Sequence, residues 1–401
     1  MDDLAHDWSS HWTLDPSVRF LNHGSFGAVM AEVQEYQQDF RERLEREPVD
    51  FLLRQVPKAF EEARASLAEF LNADPAGLVF VRNATDGVNA VLRSLRFEPG
   101  DEFVCTNHGY NACNNVLEFV AERWGGKVIR AEIPFPIQGP EAMIDSILGA
   151  LTPKTRLVLI DHVTSPTGLV FPVESLVPTL RERGILTLVD GAHSPGMLPL
   201  DLDALGADFY VGNGHKWLCA PKTVGFLHVA ARFRDVIVPT TISHGANSPR
   251  PGFSRLQDQF DWPGTVDPSP ILCLPHAMEQ LERLLPGGWA SIYRRNRALA
   301  LQGRRLLCAT LAIDEPSPES MIGFLAAVPL PPAPPEFQPG PFEPDPLHKA
   351  LWERHRVEVP VFHYPGNPPR LLRISAHLHN GLADYEALAA ALVAEGLGVG
   401  V

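Results

Sequence analysis

The sequence predicts an α/β protein in which a doubly wound, mostly parallel sheet forms a large domain and a smaller α+β C-terminal domain follows it. Two observations support this fold. Short apolar runs alternate with helical segments between residues 78 and 229, an order typical of parallel sheets with right-handed crossovers. The run at residues 156–161 is almost wholly apolar, as expected for a strand that is buried on both faces.

The predicted elements follow from apolar periodicity and from the turn residues that bound each run. Strands are expected at residues 78–81, 102–106, 127–133, 156–161, 185–189, 209–211 and 224–229, and later at 360–364 and 371–375. Helices are expected at residues 30–47, 58–71, 88–95, 112–124, 141–151, 173–183 and 289–307.

The chain has 401 residues, which is enough for two or three domains. We expect an N-terminal arm with a pocket loop at residues 1–29, a large domain at 30–270 and a small C-terminal domain at 271–401. Residues 240–270 are rich in Pro, Gly and Ser and predict a loop. The proline-dense segment 329–346 predicts another long loop, with a site for proline-reading modules as the alternative.

Composition limits the partners. The apolar fraction of 45% is ordinary for a globular protein, and 48 acidic against 34 basic side chains give a net charge of −14. This charge argues against nucleic acid or an anionic membrane as partner. No apolar run approaches the roughly 18 residues that a membrane helix needs, and the acidic N-terminus lacks the apolar core of a signal peptide. Five dispersed cysteines without a CxxC pair predict a reduced, cytoplasmic protein.

An acid and a lysine follow two successive predicted strands. Asp190 ends the strand at 185–189, and Lys216 lies just beyond the strand at 209–211. Ligands bind outside the carboxyl ends of the strands in open α/β sheets. A lysine in a dry pocket loses its proton more easily and can form a Schiff base, while a buried carboxylate keeps a pyridine nitrogen protonated. The pair would hold pyridoxal 5'-phosphate (PLP) at both ends. A capping role for Asp190 and a solvated loop position for Lys216 are the structural alternatives.

The strand at 78–81 leads directly into a helix. The sequence Asn83-Ala84-Thr85 stands at this junction. The free N–H groups and the dipole at the start of a helix attract phosphate, and the Thr85 hydroxyl would add a hydrogen bond. An ordinary N-cap by Asn83 or Thr85 is the alternative.

Two further strand ends carry side chains that suit a bound ring. His108 and Tyr110 follow the strand at 102–106, where a planar side chain could stack on the pyridine ring. A zinc site from Cys105, His108 and Cys113 does not match the usual ligand spacing. Ser165 follows the strand at 156–161 and could hydrogen-bond the phenolic oxygen of the cofactor, although a Ser-Pro turn explains it equally well.

Five motifs resemble those of the class V aminotransferase family of fold-type I PLP enzymes, and especially its isopenicillin N epimerase-like branch. They run from near the N-terminus to near the C-terminus, so the resemblance covers most of the chain. The motifs are LNHGSFG at 21–27, HVTSPTG at 162–168, DGAH at 190–193, GHKW at 214–217 and LRISA at 372–376.

The resemblance implies the fold-type I PLP-dependent transferase fold, with residues 30–270 as the PLP-binding domain, and it assigns roles to residues. The implied catalytic residues are Lys216, Asp190 and His108. The implied cofactor-binding residues are Ala84, Thr85, His108, Ser165, Asp190, His193, His215, Lys216, Gly264 and Thr265. The implied substrate-binding residues are Asn22, His23, Gly24 and Arg373, and no metal site is expected.

The resemblance also implies a homodimer with active sites at its interface. In fold-type I enzymes, a segment such as Trp262-Pro263-Gly264-Thr265 crosses to the neighbouring subunit and touches its cofactor phosphate. The alternative is a surface loop, but Trp262 in such a loop would expose an apolar side chain on a monomer.

The implied reaction starts from an internal aldimine on Lys216 and acts at the Cα of an amino acid or an amino-acid-derived small molecule. Arg373 would grip the substrate carboxylate, and freed Lys216 would act as general base on one face. Return of the proton to the opposite face would be epimerisation, with His108, Tyr110 and His23 as candidates for the second acid. We expect an isopenicillin N epimerase-like epimerase.

Three alternatives remain at this point. The same carbanion could lose a β-substituent, as in a carbon–sulfur lyase acting on a cysteine conjugate, or it could lead to transamination. A non-enzymatic binding module with the PLP fold is the third, and intact Asp190 and Lys216 argue against it. A persulfide-forming desulfurase is disfavoured, because the family's nucleophilic cysteine precedes the arginine and residues 355–372 hold no cysteine.

Overall fold

A computed structural model describes residues 7–335, 337, 344–364 and 367–398. The strands in chain order are β1 (Arg19–Phe20), β2 (Leu78–Val81), β3 (Glu102–Thr106), β4 (Lys127–Ala131), β5 (Thr155–Asp161), β6 (Leu186–Gly191), β7 (Phe209–Asn213), β8 (Gly225–Val229), β9 (Leu325–Pro329), β10 (Val357–Glu358), β11 (Val361–His363) and β12 (Arg370–Ser375).

The α-helices are α1 (His23–Phe26), α2 (Ala31–Arg46), α3 (Pro48–Asp50), α4 (Val56–Leu71), α5 (Ala84–Ser94), α6 (Asn111–Trp124), α7 (Glu141–Gly149), α8 (Val173–Glu182), α9 (Leu202–Leu205), α10 (Arg255–Asp261), α11 (Ser269–Leu272), α12 (Leu274–Leu284), α13 (Gly288–Leu311), α14 (Pro346–His355) and α15 (Leu382–Ala394).

The large sheet has seven strands in the order β2-β8-β7-β6-β5-β3-β4. β8 runs antiparallel to both of its neighbours, and the other pairs in the sheet are parallel. Alternate side chains of β5 enter different apolar cores: Leu157 and Leu159 pack with α5 and α6, whereas Val158 and Ile160 pack with α8. Burial on both faces explains why these strands read as continuous apolar runs, and the doubly wound, mostly parallel sheet is confirmed.

A second, antiparallel sheet follows in the order β11-β12-β9, with α13 packed against β9, β12 and α15. β1 pairs in parallel with β10, so the N-terminal arm joins this C-terminal region. The N-terminal arm and pocket loop expected at 1–29 therefore contain β1 and α1, which tertiary contacts order. The domain boundary between residues 270 and 271 stays a prediction.

The predicted loop at 240–270 also needs correction, because it contains α10. Ser254 accepts a hydrogen bond from the backbone N–H of Gln257, and the Gln257 side chain accepts one from the backbone of Ser254. This reciprocal capping box starts a helix inside a segment whose Pro and Gly content predicts none. In the segment 329–346, Pro329 ends β9 and Pro346 opens α14, while residues 336 and 338–343 lie outside the described residues.

In the described part of the chain, no helix is both long enough and apolar enough to cross a membrane. All five cysteines are buried and free.

Candidate active site

Asp190 lies at the carboxyl end of β6 and is buried. One carboxylate oxygen accepts a hydrogen bond from the Cys113 thiol at 3.2 Å, and the other accepts one from the Ala192 amide at 3.0 Å. Burial raises the pKa of Asp190, while these donors and Lys216 favour its anion. The predicted buried acid at a strand end is therefore present, and it is not a helix cap.

Lys216 lies just past the end of β7, and its Nζ is 3.0 Å from His193 Nε2. The residue is half-buried, and burial is the largest influence on the pKa of its amine. Burial, reinforced by Arg373, lowers the pKa of Lys216 to about 7, against a pull upward from Asp190. A large fraction of this amine is uncharged at neutral pH, which is what attack on a carbonyl carbon requires.

The backbone of Lys216 is held from the side of α1. His23 Nε2 lies 3.0 Å from the Lys216 carbonyl oxygen, and a carbonyl only accepts, so His23 donates from Nε2. Gly27 follows α1 with a φ of +70°, and a Cβ there would lie 1.9 Å from the carbonyl oxygen of His215. Glycine is thus needed for the close approach of these two segments.

Arg373 lies on β12, is fully buried, and reaches across to the large sheet. Its Nη1 donates to the backbone oxygen of Ser165 at 2.6 Å and to the Ser165 hydroxyl at 3.2 Å, and its Nη2 donates to the Ser25 hydroxyl at 3.3 Å. These partners are uncharged, and Nε is buried without a partner in the described part of the chain. A buried guanidinium with uncharged partners favours binding of a carboxylate ligand.

α5 begins where the sequence predicts a phosphate site, and phosphate binding there stays a prediction. Asn83 caps the helix by accepting from the Asp86 amide at 2.9 Å, so the N-cap alternative is correct in itself. The Ala84 amide donates to Asn213 Oδ1 at 2.9 Å, which fixes the helix N-terminus against the end of β7. Thr85 occupies the second helical position, where its amide and hydroxyl suit an anion.

His108 and Tyr110 differ sharply in their surroundings. Both ring nitrogens of the buried His108 are engaged, Nδ1 with Thr167 Oγ1 at 2.8 Å and Nε2 with the Ile133 carbonyl at 3.1 Å. Burial lowers the pKa of His108 to about 4. Tyr110 is 45% exposed, and Asp190, Cys113 and Arg373 influence its pKa, which burial raises. The structure therefore leaves His108 without a free nitrogen for proton transfer and leaves Tyr110 accessible.

The predicted substrate-binding residues at the N-terminus form α1 and its cap rather than a loop. Asn22 donates to Glu358 and accepts from Ser25, and a Cβ on Gly24 would lie 3.4 Å from Arg373 Nη2. His23 is buried against Lys216, and burial lowers its pKa to about 3. Gly24 thus lies against Arg373.

His23 also belongs to a buried histidine cluster. His23, His377 and His379 have ring nitrogens within 4.8 Å of one another, close enough to be considered as metal ligands. However, His23 and His377 stack at 4.1 Å with only 15° between their planes, and both nitrogens of His23 are hydrogen-bonded, to His379 and to Lys216. The nitrogens of stacked rings lie in the ring planes and do not point at one common position. We therefore interpret the cluster as part of the packed core and not as a metal site.

Comparisons with known proteins identify the family. The family described as Aminotransferase class-V matches residues 25–258. An isopenicillin N epimerase from Streptomyces clavuligerus is 36% identical over 406 aligned positions, which cover 96% of this chain and 98% of that protein. The chain belongs to the class V aminotransferase family. It is a PLP-dependent enzyme of that family.

Other relatives differ in their named reactions. A probable chloroplastic L-cysteine desulfhydrase from Arabidopsis thaliana is 29% identical, with coverage of 96% of this chain and 84% of that protein. The solved structure of C-DES with glycine covalently linked to its PLP cofactor has a TM-score of 0.76 and 23% identity, with coverage of 94% and 96%. The cysteine desulfurase CsdA from Escherichia coli also gives 0.76, with 21% identity and 98% coverage of both chains. These structures show the fold-type I architecture.

The residues of this class V enzyme fit PLP. His193 Nδ1 and Arg373 Nε are buried without partners in the described part of the chain, so the pocket offers unused polar atoms to a ligand. Lys216 suits the cofactor carbonyl, Asp190 the ring nitrogen and α5 the phosphate. The His215 ring is held by the Val224 carbonyl at 3.1 Å, and burial lowers its pKa to about 4.

The predicted segment Trp262-Pro263-Gly264-Thr265 directly follows α10. Gly264 has a φ of +117°, Thr265 is exposed, and Trp262 is half-buried. Neighbouring Pro263 and Val266 line a cavity of about 970 Å³. The expected contact of Gly264 and Thr265 with a partner's cofactor phosphate stays a prediction.

Four residues of the class V site did not emerge from the sequence reasoning as site residues. Asn213 fixes α5, Cys113 donates to Asp190, Ser25 donates to Asn22 and contacts Arg373, and Asp161 ends β5 beside Asp190. Two of them could have been found from their positions in the sequence, because Asn213 and Asp161 both end buried apolar runs, as Asp190 does.

Proposed function

We propose that this class V enzyme inverts the configuration at the Cα of an amino-acid-derived substrate, as an isopenicillin N epimerase-like epimerase. One observation carries the proposal: two residues that can transfer a proton follow strands on either side of the strand that ends at Asp190. Lys216 follows β7, Tyr110 follows β3, and the strand order β7-β6-β5-β3 puts Asp190 between them. The 36% identity to an isopenicillin N epimerase supports it.

Substrate binding would depend on Arg373. Its Nη1 donates to the backbone oxygen and the hydroxyl of Ser165, and its Nη2 donates to the Ser25 hydroxyl, and a carboxylate could replace the two longer hydroxyl contacts. A carboxylate would restore charge balance to a buried cation and accept two parallel hydrogen bonds. Arg373 would thereby orient Cα toward Lys216.

Proton transfer would be divided between two residues. Lys216, with a pKa of about 7, would bind the cofactor's carbonyl carbon and, once freed, take the proton from Cα as general base. When bound, PLP supplies an electron sink for the charge that remains at Cα. Asp190 would keep the ring nitrogen protonated. The Tyr110 phenol would give a proton to the other face of Cα, and burial, which raises its pKa, keeps that proton available.

A second candidate is elimination of a β-substituent, as in a carbon–sulfur lyase. The relatives named as L-cysteine desulfhydrases favour it, at 28–30% identity. Lys216, Asp190 and Arg373 would serve this reaction equally, but it needs no proton donor at the position of Tyr110. Tyr110 is thus the residue that separates the two candidates.

We also propose a homodimer in which Gly264 and Thr265 of one subunit reach the cofactor phosphate of the other. Support comes from the exposure of Thr265 and from its place on a segment beyond α10, outside the strand ends that hold Lys216.

The test compares Tyr110→Phe with wild-type enzyme on a panel of L-amino acids, cysteine conjugates and an isopenicillin N-like side chain. Chiral chromatography should show the D-form with wild type and little with Tyr110→Phe. Tyr364→Phe is the matched control, since Tyr364 packs against the His108 ring at 5.2 Å and should not affect inversion. Inversion by Tyr110→Phe at the wild-type rate would refute the role of Tyr110. Release of pyruvate and sulfide, without a D-form, would favour the lyase.

A further inference from the structure

A second buried carboxyl group stands beside Asp190. β5 and β6 are parallel, and their register pairs Asp161 with Asp190. Paired residues of parallel strands point to the same face, here the face that packs against α5 and α6, and neighbouring strands lie about 4.8 Å apart. Asp161 is 5% exposed and Asp190 is 3% exposed. The two carboxyl groups therefore share one dry space at the carboxyl edge of the sheet.

The two groups are not equally supplied with donors. Asp190 accepts from the Cys113 thiol and from the Ala192 amide, one on each oxygen. The backbone amides of Tyr110 and of Asp161 itself lie near the Asp161 carboxylate, but neither forms a hydrogen bond of the length and angle seen at Asp190. Because a carboxylate is stabilised by each donor that it accepts from, Asp190 is the better place for a negative charge.

The other titratable groups that face Asp161 do not change this ranking. They are Lys216 beyond β7, Cys113 on α6 and Cys105 on β3. Burial raises the pKa of both thiols, so they stay uncharged, and Lys216 is the one group of this set that can carry a positive charge. One cation balances one carboxylate, and two carboxylates in one low-dielectric site do not both ionise in the neutral range.

We propose that Asp161 is a positioning residue that retains a proton, so that Asp190 carries the single negative charge facing the cofactor ring. This inference rests on the proposed PLP chemistry for its purpose, but the protonation of Asp161 can be tested without it. Burial, together with the charge of Asp190, raises the pKa of Asp161 well above its ordinary value. The pair would titrate as one unit with two separate steps.

The charge state of Asp161 has a definite consequence for stability. In the unfolded chain an aspartate ionises near pH 3.9, whereas folded Asp161 holds its proton to higher pH. Its contribution is fully present below the unfolded value and is lost as pH rises through the folded value. Asp161→Asn has the same shape and cannot ionise, so it should escape this loss.

The experiment measures the thermal midpoint of PLP-loaded wild type and Asp161→Asn from pH 5 to 9. The midpoint of the variant relative to wild type should rise steadily with pH. The visible absorbance of the bound cofactor at pH 7 should be the same in both proteins, because Asp161 is already neutral in wild type. A purely packing role for Asp161 would give a difference in midpoint that does not change with pH.

Asp208→Asn is the matched control. Asp208 is equally buried, but it lies at the opposite edge of the sheet, where it accepts from Thr187 and pairs with Arg232. Its loss should lower the midpoint and leave the cofactor spectrum unchanged. If Asp161→Asn does not fold, Asp190→Asn gives the same test. Removal of the neighbouring charge lets Asp161 ionise at lower pH, so the fall of the thermal midpoint that accompanies this ionisation should move to lower pH.

Two results would overturn the inference. One is a difference in midpoint between Asp161→Asn and wild type that stays constant with pH. The other is a change in the visible absorbance of the bound cofactor at pH 7 in Asp161→Asn, which would mean that the negative charge of Asp161 is needed. Failure of the proposed function looks different. Wild type would then form no D-form from the substrate panel, while the dependence of the midpoint on pH would still report on Asp161.

Discussion

At the scale of single residues, the site depends on charges placed where water is scarce. The Lys216 amine and the Arg373 guanidinium are both cations that burial disfavours, and Arg373 has uncharged partners only. Each is therefore poised to gain from a ligand, Lys216 by losing its charge to a covalent bond and Arg373 by pairing with a carboxylate.

The lowered pKa of Lys216 predicts how cofactor capture depends on pH. The uncharged amine is the nucleophile, so the rate at which cofactor-free protein binds PLP covalently should rise about tenfold per pH unit below pH 7 and level off above it. Visible absorbance measures the rate, and borohydride reduction with mass spectrometry confirms the bond. Lys222→Ala should behave as wild type, and Lys216→Ala should form no bond. A rate that still rises above pH 9 would mean an ordinary lysine.

Arg373→Gln should lower kcat/KM roughly 10- to 150-fold for amino acids, because hydrogen bonds to charged groups contribute about 1.5–3 kcal/mol. Steady-state kinetics with a free carboxylate and with the corresponding amide provides the contrast. The amide lacks the negative charge and should lose much less. Equal losses for both substrates would place the carboxylate elsewhere.

The sequence anticipated part of this constellation. Asp190 and Lys216 were predictable because each follows a buried apolar run, and the end of such a run is where ligands meet the sheet. The pairing of Asp161 with Asp190 was not, since it depends on the register of β5 and β6. Nothing in the sequence indicated that Thr167 and Ile133, distant in the chain, would occupy the ring nitrogens of His108, and its stacking on the cofactor ring stays a prediction.

At the scale of elements, two helices position the chemistry. α1 touches Lys216 through His23 and Arg373 through Ser25, so it links the cofactor end of the site to the carboxylate end. α5 presents its N-terminus at the end of β7, held there by Asn213.

Asn213→Ala should weaken PLP binding by loosening the N-terminus of α5. The expected loss is about 3- to 10-fold, since a single neutral hydrogen bond contributes roughly 0.5–1.5 kcal/mol. Titration followed by visible absorbance measures affinity. Pyridoxal without phosphate is the control ligand, and its affinity should hardly change. A similar loss for both ligands would show that Asn213 acts on the pocket as a whole.

Element prediction succeeded where local signals were strong and failed where long-range contacts decide. β2 and β3 begin and end at the predicted residues because turn residues bound their apolar runs. β1 exists because it pairs with β10 from the far end of the chain, and α1 packs against Lys216 and Arg373. α10 was hidden by composition, although Ser254 and Gln257 have the spacing of a capping box.

At the scale of the whole molecule, the order of strands brings distant residues together. Residues at or just beyond the ends of β3, β5, β6 and β7 lie along the carboxyl ends of the parallel strands. Arg373 joins them from β12 of the second sheet, although it is distant from them in the sequence. The sequence predicted a doubly wound, mostly parallel sheet, but it did not predict which strands are neighbours, because strand order depends on crossover packing.

The proposed dimer predicts complementation between two inactive variants. Lys216→Ala and Thr265→Glu lesions in different chains would fall in the same site of a mixed dimer and leave its other site intact. Random mixing makes about half of the dimers mixed, so about a quarter of wild-type activity should return. Lys216→Ala mixed with Asp190→Asn is the control, and it should recover none, because both lesions stay in their own subunit's site. If the mixture of Lys216→Ala and Thr265→Glu recovers no activity, Thr265 serves the active site of its own subunit.

We infer that the enzyme labilises the Cα proton of its substrate and returns a proton to either face of Cα. Proton NMR of the PLP-loaded enzyme with the substrate panel in heavy water tests it most directly. We expect the Cα proton signal to disappear while the D-form accumulates and the amino group stays in place. Appearance of a 2-oxo acid or of elimination products instead of the D-form would contradict epimerisation and assign the same site to transamination or to carbon–sulfur cleavage.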